Sequence, residues 1–353
     1  MQYNVIFLPL LTAFIITAAV TAFCLPLMKK LGILDDPKKH KHPAIIHKKP
    51  IPRGGGIPLF AGMFLASLFF IPFTGMVATL FAAAFLALLV GVLDDKYDIS
   101  PYIRFGINII CAILIVMAGA NIPFITNPFG GILHLDTIKL PFSFLHLEEL
   151  IAIVWIVWVT NMINWSTGVD GQMPGVVAIS AIVIGLLSLR FPLSDQNTYT
   201  AATLSFIIAG SALGFLLFNF YPARIFPGYG ATSMYMLLAV VSILSGVKLA
   251  TAIMVMAIPM IDGFVTIVRR IATGHSPFRH DNKHFHHLLL RLGFDQPQIS
   301  LFYWIVSAIF GLISLTLPSR GKLFAIVMIA IVVGGAILTL HLLVRGNNEK
   351  KSI

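Results

Sequence analysis

Two adjacent aspartates, Asp94 and Asp95, end an apolar run in the sequence GVLDDKYD at residues 91–98. A carboxylate at the centre of a bilayer costs about 2.5–3.5 kcal/mol, and less near the interface. Adjacent carboxylates also repel each other unless a cation or a shared proton lies between them. We therefore expect the pair to bind Mg²⁺, or Mn²⁺ in its place, because these ions prefer oxygen ligands. A polar helix end beside Lys96 is the simpler alternative.

A segment rich in basic residues and glycines precedes this pair. Residues 39–58 read KHKHPAIIHKKPIPRGGGIP, which includes Lys48 and Arg53. Clustered cations on a pliable backbone suit phosphate groups. A basic membrane anchor on the cytoplasmic side has the same composition and is the alternative. The GxxxxGK[ST] pattern is absent from the sequence, so this is not a Walker-type phosphate loop.

A histidine-rich segment lies further along the chain. The sequence HDNKHFHHLLLRLGF at residues 280–294 contains Asp281, His284, His286 and His287. On a helix, His284 and His287 would share one face while His286 would point elsewhere. The HxHH spacing differs from that of common zinc sites. We expect these side chains to bind a substrate anion, with a zinc site or a solvated loop as alternatives.

Further polar residues interrupt or follow apolar runs. They are Asn161, Asn164 and Asp170 in NMINWSTGVDG at residues 161–171, Asn219 after a later run, and Asp262 in IPMIDGF. An ionisable residue at membrane depth is expected to be functional, although pairing with a neighbouring polar helix would also explain Asp262. The sequence has no nucleophile elbow and no CxxC motif, which argues against hydrolase and redox functions.

The elements that must position these residues are membrane helices. The chain has 353 residues, of which 58% are hydrophobic and 11% are charged, too apolar for a soluble core. About eleven runs are long enough to cross roughly 30 Å of hydrocarbon. They lie near residues 4–28, 56–73, 77–93, 102–120, 148–165, 173–190, 200–218, 231–245, 247–268, 299–317 and 323–344. Since backbone polar groups must be satisfied internally in lipid, we expect an all-α, polytopic transmembrane bundle of 10–11 helices in a single domain, residues 1–353.

The basic residues predict how this bundle is oriented. Lysines and arginines concentrate in 29–55 and 269–291, whereas 121–147 holds only Lys139. The positive-inside rule places the two basic loops in the cytoplasm and the N-terminus outside, with Arg320 and Lys322 as exceptions. The same alternation brings all the polar segments to the cytoplasmic face of the cell membrane. The net charge of +10 then reflects membrane topology and does not indicate nucleic-acid binding. The 121–147 segment is expected to form a small hairpin.

Six motifs occur in an order that resembles one family. They are HKKPIPRGGG at 47–56, LDD at 93–95, NxxN at 161–164, DG at 170–171, FNFYPARIF at 218–226 and PMIDGF to HHLLLRLG at 259–293. This pattern resembles the polyprenyl-phosphate N-acetylhexosamine-1-phosphate transferases, glycosyltransferase family 4. The last block is similar to the Asp-x-x-His-x-His-His block of its N-acetylglucosamine branch. Two positions differ, since Thr167 and Tyr229 stand where the family has aspartates, the second of them a magnesium ligand.

The resemblance implies a reaction and a set of roles. The enzyme would transfer a sugar-1-phosphate from a UDP-N-acetylhexosamine to a membrane polyprenyl phosphate and release UMP. Asp94, Asp95 and Asp170 would be catalytic and would hold Mg²⁺. Substrate binding would fall to Lys48, Arg53, Asn161, Asn164, Asn219, Asp281, His284, His286 and His287. A homodimer is left open.

The two missing aspartates keep a second hypothesis open. A degenerate member of the family would bind lipid phosphate or nucleotide sugar without turnover, as a scaffold or regulator. Secondary transport is a weaker third hypothesis, because the polar residues gather at one face and, apart from Asp262, avoid the middle of the membrane.

Overall fold

The computed structural model describes residues 3–38, 47–127, 129–141, 146–244, 249–278 and 282–350. Within these ranges the chain forms thirteen α-helices. They are α1 (Leu8–Leu31), α2 (Gly56–Phe70), α3 (Gly75–Tyr97), α4 (Pro101–Met117), α5 (Leu147–Trp165), α6 (Gln172–Ser188), α7 (Gln196–Asn219), α8 (Thr232–Leu244), α9 (Leu249–Val255), α10 (Ala257–Ala272), α11 (Phe285–Arg291), α12 (Gln296–Thr316) and α13 (Ser319–Lys350). A 3-10 turn, Tyr229–Ala231, leads into α8.

The apolar helices coincide with the runs predicted from the sequence. In the described part of the chain, six helices are long and apolar enough to cross a membrane, or seven if α9 and α10 form one bent span. Four shorter apolar helices accompany them: α2, α4, α6 and the segment Tyr229–Leu244. The prediction of an all-α, polytopic membrane bundle is confirmed. The limits of the single domain remain a prediction.

Helices α9 and α10 divide between them the apolar run that the sequence places near 247–268. They meet at an angle of 85°. Pro259 has no N–H and cannot donate to the carbonyl of Val255, so the hydrogen-bond ladder of α9 cannot continue through it. A proline is tolerated in the first turn of a helix, which is where α10 places it. The break therefore follows from one residue.

Two glycines on α7 bring that helix into backbone contact with α1. A Cβ atom on Gly210 would lie 2.0 Å from the carbonyl oxygen of Leu10, and one on Gly214 would lie 2.4 Å from that of Phe14. Beside them, the hydroxyls of Thr17 and Ser211 lie 2.7 Å apart. Small residues four apart are a common way for helices to pack closely in lipid.

Two short hairpins complete the fold. The strands β1 (Leu34–Asp35) and β2 (Ile51–Pro52) pair antiparallel beside the end of α1. The strands β3 (Phe124–Thr126) and β4 (Ile132–His134) form the hairpin that the sequence predicts in 121–147.

The buried apolar residues form two separate clusters. The larger one runs from α1 to α10. The smaller one underlies the histidine segment and contains Val169, Ile258, Phe285, Leu288 and Ile337. The two clusters thus support different parts of the polar helix ends.

The contact between α1 and α7 leads to a paired prediction. Gly210→Ala should lower the melting temperature in detergent, because the new Cβ meets a carbonyl oxygen at 2.0 Å. Gly106→Ala, in α4 with nothing within 4 Å of its Cβ, is the matched control. This control should stabilise the protein by about 0.5–1 kcal/mol through reduced backbone entropy in the unfolded chain. Equal shifts in the two variants would contradict the close contact.

Candidate functional site

The two adjacent aspartates at the end of α3 have different partners. Asp94 accepts a hydrogen bond from Arg104 Nη1 through Oδ2 at 2.9 Å and one from the Ile99 N–H through Oδ1 at 2.9 Å. Asp95 accepts one from the Tyr229 N–H through Oδ1 at 2.8 Å. Both aspartate residues are 6% exposed. The hydrogen-bond partners of each carboxylate oxygen therefore determine what else that oxygen can bind.

Asp95 keeps one oxygen available. Its Oδ2 is buried and has no hydrogen-bond partner in the part of the chain that the structure describes. The backbone of Gly228 packs closely against this oxygen, since a Cβ at residue 228 would lie 2.1 Å from it. Gly228 also has φ +65°, a conformation that favours glycine. Arg53 Nε lies 3.9 Å from the other oxygen, Oδ1, and adds positive charge there.

The segment from residue 219 to residue 230, here called the bridging segment, joins this pair to Asp170. At its start, Asn219 accepts from the Gly171 N–H at 3.1 Å and donates to the carbonyl of Ile225 at 2.8 Å. The N–H of Ala223 donates to Asp170 Oδ2 at 2.8 Å. The N–H of Tyr229, near its end, binds Asp95. One stretch of backbone therefore contacts both acidic positions.

The histidine segment is anchored by Asp262. The carboxylate of Asp262 binds His284 Nδ1 at 2.9 Å and accepts from the Phe285 N–H at 2.9 Å. It is 1% exposed, so α10 places a fully buried acid behind the histidines. Asp262 is thus paired with another side chain, and that partner, His284, is itself a residue of the predicted site.

The histidine rings do not follow the helical faces that the sequence analysis assumes. His284 lies just before α11, at its N-cap, so the three-residue helical spacing to His287 does not apply. The rings of His284 and His286 are stacked with centroids 5.7 Å apart, and those of His286 and His287 are 4.3 Å apart. The prediction that His286 points elsewhere is wrong. The three rings form one cluster, here called the histidine stack, in which the rings of His284 and His286 are parallel and the ring of His287 is tilted by 50° against that of His286.

This stack lies against the loop that carries Asp170. A Cβ on Gly168 would lie 1.8 Å from His286 Nε2, so the imidazole packs directly on the backbone of residue 168. Burial, together with the neighbouring His287 and His284, holds the pKa of His286 well below its usual range. At neutral pH this ring is therefore an uncharged donor and acceptor.

Asp170 is 7% exposed. Burial raises the pKa of its carboxyl, an effect that the Ala223 N–H and His47 oppose in part. Its backbone is held by α12, since Gln296 Oε1 accepts from the Asp170 N–H at 3.0 Å and Ser300 Oγ donates to its carbonyl at 2.6 Å. One helix thus fixes the position of this loop.

The remaining predicted residues fall into three groups. Asn161 is buried and donates to the carbonyl of Val157 in its own helix at 2.7 Å, and the carbonyl of Asn164 accepts from Thr167 Oγ1 at 2.8 Å. Lys48 is exposed. Asp281 lies outside the described residues.

Two sets of residues in the site were missed by sequence reasoning. Arg104 was overlooked although a lone arginine inside an apolar run is itself a signal. The second set is the face of α12 formed by Gln296, Ser300 and Trp304, where Trp304 Nε1 donates to the Gly171 carbonyl at 3.2 Å. The four-residue spacing of this face is visible in the sequence. Its partners, Asp170 and Gly171, lie 126 or more residues away and could not be recognised from the sequence.

The donor set at Asp95 suits a hard divalent cation. Among the residues that the structure describes, no three His, Cys, Asp or Glu side chains form a group that could hold a metal ion. Mg²⁺, however, is usually bound by one or two carboxylates together with substrate phosphates. The buried Oδ2 of Asp95, which has no partner among the described residues and packs against the backbone of Gly228, is a donor of the kind that arrangement uses. The roles of Asp94, Asp95 and Asp170 as metal ligands stay a prediction.

Comparison with known proteins shows a likeness over most of the chain. The profile described as Glycosyl transferase family 4 matches residues 77–246. A probable undecaprenyl-phosphate N-acetylglucosaminyl 1-phosphate transferase of Bacillus subtilis is 29% identical over 88% of this chain and 85% of its own length. A decaprenyl-phosphate N-acetylglucosaminephosphotransferase of Mycobacterium tuberculosis is 31% identical over 96% of this chain and 89% of its own length. An undecaprenyl-phosphate alpha-N-acetylglucosaminyl 1-phosphate transferase of Escherichia coli is 27% identical over 85% and 80%.

The space beside Asp95 can be tested with a glycine pair. Gly228→Ala should destabilise the protein by more than the roughly 1–3 kcal/mol of backbone strain, because its Cβ also meets Asp95 Oδ2. Gly274→Ala is the matched control, with φ +72° and nothing within 4 Å of its Cβ. Melting temperatures in detergent measure both. Similar losses of melting temperature in the two variants would mean that a Cβ at residue 228 does not clash with Asp95.

The raised pKa of Asp170 predicts a pH-dependent stability difference. Between the ordinary pKa of about 3.9 and the raised folded value, the folded state binds more protons, so stability falls as pH rises. Asp170→Asn removes this cost. The melting temperature of the variant minus that of the wild type should therefore increase from pH 4 to pH 7. Asp98→Asn is the control, because water solvates this exposed aspartate before and after unfolding. A difference for Asp170→Asn that is constant with pH would contradict the burial of its charge.

Proposed function

Because this chain belongs to glycosyl transferase family 4, we propose that it transfers N-acetylhexosamine-1-phosphate from a UDP-sugar to a membrane polyprenyl phosphate. The reaction releases UMP and leaves a lipid diphosphate sugar for the assembly of cell-envelope glycans. The protein is a phospho-N-acetylhexosamine transferase and a multi-pass membrane enzyme.

One observation carries this proposal. The bridging segment binds Asp170 near its start and Asp95 near its end, while the loop before Asp170 packs on His286. Acidic groups and the histidine stack are thus linked by direct contacts at the ends of the helices. Phosphoryl transfer needs this combination, since it requires positioning and charge neutralisation more than covalent chemistry from the protein.

Sidedness follows from the same site. We propose that it faces the cytoplasm, because the basic loops 29–55 and 269–291 carry its arginine and its histidines. A soluble nucleotide sugar reaches this face from the cytosol. The phosphate of the lipid acceptor lies at the same interface.

The substrate roles are assigned from the charge, the exposure and the hydrogen-bond partners of each side chain. Arg53 and the stack of His284, His286 and His287 would hold the diphosphate and the sugar. Lys48 is exposed and would meet phosphate at the entrance, and Asp281 remains assigned to the substrate. Asn219 has both ends of its amide engaged, so it would position the bridging segment. Asn161 would support α5, and Asn164 would lie beside the nucleotide.

In the proposed reaction, an oxygen of the lipid phosphate bonds to the phosphorus that carries the sugar. The bond from this phosphorus to the bridging oxygen breaks, and that oxygen leaves with UMP. Bound Mg²⁺ would supply charge neutralisation at the diphosphate oxygens. Asp95 would hold it through the free Oδ2, and Arg53 would add positive charge nearby. The uncharged His286 would orient the donor by hydrogen bonding.

The relatives suggest which donor to try first. Those named above are described as acting with N-acetylglucosamine phosphate. We therefore propose UDP-N-acetylglucosamine as the donor and undecaprenyl or decaprenyl phosphate as the acceptor.

The test is an assay of the purified protein with Mg²⁺, polyprenyl phosphate and labelled UDP-N-acetylglucosamine. UMP and a lipid-linked sugar phosphate should appear in equal amounts. Asp95→Asn should reduce turnover at least about 100-fold, because it removes the charge at the free buried oxygen. Asp98→Asn, an exposed change on the same stretch of chain, is the matched control and should retain activity.

Two results would contradict the proposal. The first is the absence of product with every UDP-N-acetylhexosamine tested, together with measurable binding of lipid or nucleotide, which would indicate a non-catalytic binder. The second is full activity of Asp95→Asn, which would move the reaction centre away from the end of α3.

A further inference from the structure

Arg104 forms an ion pair with Asp94, one of the two adjacent aspartates. Its Nη1 lies 2.9 Å from Asp94 Oδ2, and the ion pair is largely buried, with side-chain exposures of 13% and 6%. The other oxygen of Asp94 accepts from the Ile99 N–H at 2.9 Å. Both oxygens of Asp94 are therefore engaged within the protein. Asp95 Oδ2, by contrast, is unpartnered among the described residues.

Tyr229 holds this arginine in place. The guanidinium carbon of Arg104 lies 4.8 Å from the centre of the Tyr229 ring, within cation–π range. The Tyr229 hydroxyl accepts a hydrogen bond from Asn108 Nδ2 at 3.0 Å, which fixes the ring. The N–H of the same tyrosine binds Asp95. Tyr229 thus contacts both halves of the acidic pair, one through its ring and Arg104, the other through its backbone.

This arrangement makes two neighbouring carboxylates unequal. A guanidinium cannot lose its proton in a protein, so the positive charge beside Asp94 is permanent. Arg53 is a much weaker partner for Asp95, with Nε at 3.9 Å and a side chain that is 36% exposed. The pair therefore carries a built-in counter-ion on one side and, on the other, a buried oxygen that has no hydrogen-bond partner among the described residues.

We propose that Arg104, supported by Tyr229, is an internal counter-ion that occupies Asp94 and directs a divalent cation to Asp95. Tyr229 and Arg104 are positioning residues in this scheme. Tyr229 is then a functional part of the site, although it cannot itself replace a carboxylate ligand. The turnover part of the inference rests on the proposed function, whereas the cation-binding part does not.

The experiment measures Mn²⁺ binding to the full-length protein in detergent by electron paramagnetic resonance. Arg104→Gln should tighten Mn²⁺ binding about tenfold or more, because an adjacent arginine competes with other cations for a carboxylate to about that extent. Tyr229→Leu should tighten it about threefold, since the guanidinium loses the ring that holds it. Tyr229→Phe keeps the ring and should stay within about twofold of the wild type.

Lys96→Gln is the matched control. It removes the same charge from the residue that directly follows Asp95 in α3, but Lys96 is exposed and its ammonium lies over the ring of Tyr97, 5.3 Å from its centre. Its Mn²⁺ affinity should equal that of the wild type. Melting temperatures identify misfolded variants, and a tighter affinity cannot arise from misfolding, which would weaken binding.

Turnover provides a second and independent readout. In Arg104→Gln, kcat at saturating Mg²⁺ should fall while half-maximal activity is reached at a lower Mg²⁺ concentration. A merely structural role would lower kcat and leave the Mg²⁺ requirement unchanged. If no variant shows turnover with any donor, the proposed function fails, and the Mn²⁺ series still decides the present inference. Equal Mn²⁺ affinity in Arg104→Gln, Tyr229→Leu and wild type, or no binding in any of them, would overturn it.

Discussion

The bridging segment between Asn219 and Gly230 is the constraint on which the site depends. Its backbone binds Asp170 and Asp95, which α3 and the loop after α5 could not bring into register alone. The segment reaches this position because three glycines let chains touch. A Cβ on Gly56 or Gly91 would lie 2.2 Å or 2.3 Å from atoms of Gly230, so side chains are excluded from the crossing. Both acids are thus held by main-chain hydrogen bonds from this segment.

The buried acids of such a site lower the stability of the folded protein. Asp94, Asp95, Asp170 and Asp262 are each less than 8% exposed, and a buried charge is tolerated only when it is paired or hydrogen-bonded. The chain meets this requirement unevenly. Asp94 and Asp262 are engaged by partners inside the protein, whereas Asp95 Oδ2 has no hydrogen-bond partner in the part of the chain that the structure describes. An unsatisfied buried oxygen lowers stability, and proteins accept such a cost mainly at functional sites.

Much of the fold could be predicted from the sequence because lipid leaves few choices: every long apolar run must be a helix. The segments of the site could also be recognised, since polar residues stand out in such a chain. Their partners could not. The pairing of Arg104 with Asp94 spans two helices, and the hold of Ser300 on Asp170 joins residues 130 positions apart. The histidine faces were misjudged because α11 begins at Phe285, after His284. A one-residue difference in a helix start changes which rings meet, and no local pattern determines it.

The two separate hydrophobic clusters have a consequence for how such an enzyme can diversify. The histidine stack lies on the smaller cluster, which includes Ile258, Phe285 and Ile337, whereas Asp95 lies in α3, whose buried residues Leu80 and Ala84 belong to the larger one. Substitutions that share no packing partners act nearly independently. The residues beneath the histidines can therefore change in shape while the packing of α3 is kept. Two clusters in one chain thus allow one group of polar helix ends to vary in sequence without repacking the helix that carries the adjacent aspartates.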